Sequence, residues 1–214
     1  MNIMSKKNLT LGLAVIMFAT IFMGCKKGEN DPMSLATRKA RLTGEWVLSE
    51  ASYITTNSYD GVTATSNYSY DGTNMTYTYD GEGTTYAYTE NITIDKDGTF
   101  KSVVTREGTY YGNNWEEKTG TRTTTTEGVW YFVEGNKELD VKDKERVEFM
   151  ITKETDVSYN GDTEVTTYSG RTNYMTSTLL LDRLASKEMI TLFDNSETSD
   201  YSYSQSGTKT YIQE

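Results

Sequence analysis

The sequence predicts an all-β fold, an antiparallel barrel or meander of about 8–10 strands behind a short N-terminal helix. The first observation is punctuation. Asp60-Gly61, Asp71-Gly72, Asp80-Gly81, Asp97-Gly98 and Asn160-Gly161 recur through the chain, and such pairs supply the positive φ angles of tight hairpins. The second is alternation. Val147, Phe149 and Ile151 are interleaved with polar residues, the pattern of a strand with one face on a core. The third is composition: Thr, Tyr, Val and Ile dominate after Gly44, with 17 tyrosines and one proline in the whole chain.

Taken in order, the chain opens with Lys6-Lys7, an apolar run from Leu9 to Phe22, and Met23-Gly24-Cys25. A cationic stretch, a short apolar stretch and a small residue before cysteine form a secretory signal. The 14 residues from Leu9 to Phe22 are too few for a membrane span, which needs roughly 20. Residues 1–24 are therefore expected to be a signal peptide, 25–33 a flexible polar tether containing Pro32, and 34–214 one β domain. A helix is expected over Ser34–Leu42, with Ser34 as N-cap, basic residues in the last turn and Gly44 as its stop.

Strands are expected near 45–55, 63–70, 73–79, 84–94, 99–107, 119–133, 144–158, 163–182, 188–194 and 200–212. Ile92 and Ile94 should pair with Phe100, Ser102 and Val104 across the Asp95–Gly98 turn. Leu179-Leu180-Leu181 reads as a strand covered on both faces. A nine-residue repeat overlies the early hairpins, with tyrosine pairs at Tyr68/Tyr70, Tyr77/Tyr79 and Tyr86/Tyr88. Spacing of two puts each pair on one face of a strand. Those tyrosines either cover a sheet as structural packing or form an exposed aromatic platform for a glycan or peptide.

Composition excludes several chemistries. The chain holds no histidine and a single cysteine, so Ser-His-Asp triads, Cys-His dyads, the usual zinc sites and internal disulfides are ruled out. Loss of Lys6 and Lys7 leaves 19 basic and 31 acidic residues, a balance that disfavours nucleic acid and anionic headgroups. Glu116, Glu117, Glu127 and Asp182 are carboxylates, but nothing in the sequence marks a catalytic pair. Asp95-Lys96-Asp97-Gly98 lacks carboxylates at both ends of a calcium loop, with Thr93 and Val104 in those places. No metal, no cofactor and no catalytic residue is expected; action by binding is.

The Lys6–Cys25 segment resembles the leaders of bacterial lipoproteins. That resemblance implies a diacylglycerol on the Cys25 sulfur plus an N-acyl chain, palmitate among them. Two or more chains give stable anchoring, placing the protein in the cell envelope, at the outer membrane of a Gram-negative bacterium. Leu42-Thr43-Gly44-Glu45-Trp46-Val47-Leu48 resembles the Gly-x-Trp opening of lipocalins and of the lipocalin-like domains of bacterial lipoproteins. Ile94–Phe100, Gly128–Val133 and Leu181–Ile190 are similar to the same family. The resemblance implies that Gly44, Trp46 and Arg183 form a barrel-closing motif, with the tryptophan under the barrel and the arginine stacked on it. It implies a small apolar molecule or lipid as ligand; the tyrosine-rich strands themselves offer the alternative, an accessory or adhesion protein whose tyrosine surface binds a glycan or a protein partner. Asp200–Ile212 departs from the family by reading as a strand where lipocalins carry a helix.

Overall fold

The computed structural model describes residues 31–32, 36–60, 62–112, 115–138, 142, 145–169, 175–197 and 201–213. The leader, Cys25 and Ser34 lie outside the described residues. One short helix, α1 (Arg38–Leu42), precedes eleven strands. They are β1 (Gly44–Tyr59), β2 (Val62–Tyr70), β3 (Asn74–Tyr79), β4 (Glu82–Ile94), β5 (Thr99–Tyr111) and β6 (Glu117–Val133). β7 (Arg146–Val157), β8 (Thr163–Thr167), β9 (Met175–Leu184), β10 (Glu188–Glu197) and β11 (Tyr201–Gln213) complete the set. The described part of α1 begins later than Ser34 because Thr37 is the cap: its Oγ1 accepts from the Ala40 amide at 3.1 Å.

All strands belong to one antiparallel sheet that closes on itself through β6–β7 and β1–β11. The stretch expected as a single strand over 163–182 is two, β8 and β9, on one track beside β7. From Lys153 to Ile151 the ladder advances two residues on β7 and eight on its partner, from Thr167 to Met175. The partner track thus carries six more residues than β7 over that step, which sequence alternation alone does not register. The wall therefore has ten strand positions, the number of strands expected from the sequence.

The ring is not uniform along its axis. Gly44–Val47 of β1 pair directly with Asn91–Ile94 of β4, while Ala51–Tyr59 of the same strand pair with β2. The β2–β3 hairpin is thus a wedge that enters only the upper wall. Eight strands close the base and ten surround the mouth, and barrel diameter grows with strand number. Among the described residues, no ladder joins β8 to β10 near the mouth.

The base is packed and tied. Leu42, Trp46, Leu48, Ile92, Ile94, Phe100, Val147, Phe149, Ile151, Leu181, Leu184 and Met189 are buried there. Leu179 and Leu180 are only half-buried, so Leu181 alone of that triplet belongs to the closed core. Asp31, inside the segment expected to be a tether, is buried against α1 and β9. Its carboxylate accepts from Arg38 Nε at 2.9 Å, Arg41 Nη2 at 3.0 Å and the Leu184 amide at 2.7 Å. Arg41 also donates to the Leu184 carbonyl. These bonds fasten the helix across the narrow end.

Turn chemistry follows the dipeptides. Asp80 and Gly81 both hold positive φ, 48° and 82°, as a type I′ hairpin requires. Asp71 instead accepts from the Thr73 and Asn74 amides at 2.9 and 2.8 Å, folding the wedge back on itself.

Candidate functional site

Alternation along each wall strand sends one set of side chains inward, and the chemistry of that set changes with height. On β4 the inward series is Ile94, Ile92, Glu90, Tyr88 and Tyr86. On β5 it is Phe100, Ser102, Val104 and Arg106. Apolar groups fill the base; tyrosine, threonine and charge line the mouth.

Glu90 marks the boundary. Its side chain is 9 % exposed and accepts from Lys209 Nζ at 2.7 Å, Tyr211 Oη at 2.7 Å and Tyr88 Oη at 2.9 Å. Burial alone would raise its pKa, but the Lys209 ammonium and these three hydrogen bonds prevail and hold the carboxyl below its ordinary value. Tyr211 and Tyr88 are pushed up, chiefly by burial and then by the adjacent Glu90 charge, so both hydroxyls remain donors. Lys209 also lies over the Phe193 ring, 5.4 Å from its centroid.

Below and beside this node is a cavity of about 210 Å3 bounded by Ile92, Phe100, Phe149, Ile151, Leu179 and Phe193, with Glu90, Lys209 and Tyr211 on its polar side. Above it a second cavity of about 430 Å3 is walled by Tyr53, Tyr68, Tyr86, Tyr88, Arg106 and Arg122. A third, of about 550 Å3 at the mouth, shares Tyr68, Tyr86 and Arg106 with the second and adds Tyr77 and Tyr159. Cavities of several hundred Å3 are the size of ordinary small-molecule sites.

The repeat tyrosines share a face, as their spacing requires, and that face is the inner wall rather than an outer platform. Tyr68 stacks on Tyr53 at 4.6 Å with 10° between planes and meets Tyr77 at 5.1 Å. Tyr70 and Tyr86 both pack edge-on against Tyr88, at 5.7 and 6.4 Å. Tyr70 is buried, and Tyr79, at the rim, is 45 % exposed. Burial raises the pKa of Tyr53, Tyr68, Tyr70 and Tyr86, in Tyr86 against the pull of Arg106. Gly207, opposite Tyr53, holds φ +143°, and a Cβ there would lie 2.4 Å from the Tyr53 Cα. Only glycine admits β1 and β11 at that spacing.

Trp46 lies at the base, 1 % exposed, with its Nε1 donating to the Leu42 carbonyl at 2.7 Å. Gly44 holds φ +145° against Gln213, whose Nε2 donates to the Thr43 carbonyl at 3.2 Å. Arg183 sits on β9 beside Glu188 at 3.2 Å, and the cation over an indole at this end is Lys39 on Trp130, 5.5 Å from the centroid. The base arginines that are buried are Arg38 and Arg41.

Sequence reasoning missed Glu90, Lys209, Tyr211 and Arg106. The signal was present: Glu90 and Arg106 fall in the same alternating frame as Ile92/Ile94 and Phe100/Val104, where a core residue is expected. No protein-family model matches the chain, and no curated protein matches it in sequence.

Proposed function

We propose that this chain is a lipid-anchored protein of the bacterial cell envelope, at the outer membrane, whose barrel receives a small molecule through its wide end. The supporting observation is the contrast inside one wall: a closed apolar base and, above Glu90, two adjoining cavities with shared aromatic and cationic lining. It acts by binding rather than by catalysis. The apolar lower cavity suits a hydrocarbon or ring portion of the guest, and the tyrosines suit a ring or polar portion. Inward orientation of the tyrosines favours this reading over an adhesion surface, since five of the six repeat rings face other inner-wall groups. The anchor is Cys25 with its acyl chains, as the leader resembles those of lipoproteins.

Two measurements test it. Metabolic palmitate labelling should mark the wild type and not Cys25→Ala, and the variant should leave the membrane fraction. Native mass spectrometry of the full-length protein, released from nanodiscs made from its own envelope, should carry a small-molecule mass beyond the lipidated polypeptide. A bare lipidated mass across preparations would contradict the binding reading.

A further inference from the structure

We propose that the mouth chamber is selective for an anion on a flat ring, with Arg106 taking the carboxylate. This rests on the reading that the barrel binds a guest, and it names the guest's chemical class. Arg106 and Arg122 stand directly opposite each other on the inner faces of β5 and β6. Like charges in that relation repel unless neutralised. Asp156 is hydrogen-bonded to one of them: its carboxylate lies 2.8 Å from Arg122 Nε and also accepts from Thr124 Oγ1 at 2.8 Å, while Arg106 feels its charge without a hydrogen bond to it. Arg106 has no carboxylate within ion-pair distance among the described residues. Its neighbour is the Tyr159 ring, 5.7 Å from the guanidinium carbon. A ring face orients a guanidinium without cancelling its charge.

That ring is seated by design of the backbone. Gly108 and Gly120 face each other across β5 and β6, and a Cβ on Gly108 would lie 2.7 Å from the Tyr159 ring. A Cβ on Gly120 would lie 2.1 Å from the Tyr159 carbonyl. Both positions are vacated so that the β7–β8 hairpin can fold over the mouth and present Tyr159 to Arg106. The result is a half-neutralised arginine pair, its free fork bordering both mouth cavities and flanked by Tyr68 and Tyr86. Glu154, one inner step below Asp156 on β7, is paired in register with Thr126, and its charge adds to that of Asp156 on the Arg122 side of the pair. A guanidinium fork matches a carboxylate in two parallel hydrogen bonds, and the tyrosines supply flat apolar area beside it.

The test uses the full-length protein in neutral-lipid nanodiscs, titrated calorimetrically with 2-naphthoate and with its neutral counterpart 2-naphthamide, empty nanodiscs serving as blank. Naphthoate should bind about tenfold tighter, the scale of a charge-assisted pair. Arg106→Gln should bring the naphthoate-to-naphthamide affinity ratio to about one, the ratio within the variant rather than either affinity alone reading the guanidinium. Asp156→Asn should tighten naphthoate binding, because it frees the second guanidinium; loosened folding would push affinity the other way. Equal binding of the two probes, or an indifferent Arg106→Gln, overturns the anion assignment while the barrel-binding reading stands. Binding of neither probe, together with a bare lipidated mass, overturns both.

Discussion

The base and the mouth of this barrel are built from the same strands by the same alternation, yet they do opposite things. At the base, eight strands close around tryptophan, phenylalanine and branched aliphatics, and α1 is fastened across the opening by Asp31. At the mouth, the β2–β3 wedge widens the ring to ten positions, and the inward residues become tyrosine, threonine and arginine. A wider ring needs larger side chains to fill it, and tyrosine is what the repeat supplies. The rings meet one another but leave several hundred Å3 between them. Stability is thus concentrated at one end, and room for a guest at the other.

If that division is right, substitutions should sort by height. The largest loss is expected for Asp31→Ala, which removes the carboxylate paired with the buried guanidinium groups of Arg38 and Arg41. Removal of one partner from such a cluster costs about 3–5 kcal/mol, measurable by urea unfolding, with any retained cavity binding unchanged in the folded fraction. Tyr211→Phe removes a hydrogen bond to the buried Glu90 carboxylate and should cost about 1.5–3 kcal/mol. Tyr77→Ala at the mouth loses a ring contact with Tyr68 and a hydrogen bond from Ser66 and should cost about 1–2 kcal/mol, while changing 2-naphthamide affinity. A mouth substitution as costly as Asp31→Ala would break the division.

Acid sharpens the same comparison at its boundary. The Glu90 carboxyl is held below its ordinary value near 4.5 in the folded protein. A depressed folded-state pKa gives stability that is complete above the unfolded value and is lost as pH falls through the folded one. The stability difference between wild type and the Glu90→Gln/Lys209→Met double variant should therefore shift progressively against the wild type as pH falls below the ordinary value of 4.5. A difference flat from pH 7 to pH 3 would mean that the Glu90–Lys209 pair is not coupled to folding.

Much of the fold was legible because hairpin turns and two-residue alternation are local. The Asp-Gly pairs located the early hairpins, and Ile94↔Phe100 and Ile92↔Ser102 pair as expected across the Asp95–Gly98 turn. What escaped is non-local. The direct β1–β4 ladder depends on a wedge whose turn sits halfway up the wall, and no local pattern announces that. Thr167 and Met175, on either side of the β8–β9 break, fall on the same two-residue frame, so alternation does not announce the break. Alternation placed the tyrosines together but carries no information about which face is inside. Asp31 escaped although Arg38 and Arg41 are only 7 and 10 residues on, because the Leu184 amide that seats it on β9 is 153 residues away. The site was legible only as a face of tyrosines; its charged members needed the closed ring.

The most direct test is radical footprinting of tyrosines in the native envelope and again after the protein has been unfolded, stripped and refolded. A guest in the mouth predicts that Tyr68, Tyr77 and Tyr86 are modified less in the envelope than after stripping. The rim residues Tyr79 and Tyr111, 45 % and 65 % exposed, should react equally in both, and buried Tyr211 in neither. Equal modification of Tyr68, Tyr77 and Tyr86 before and after stripping would contradict an occupied chamber.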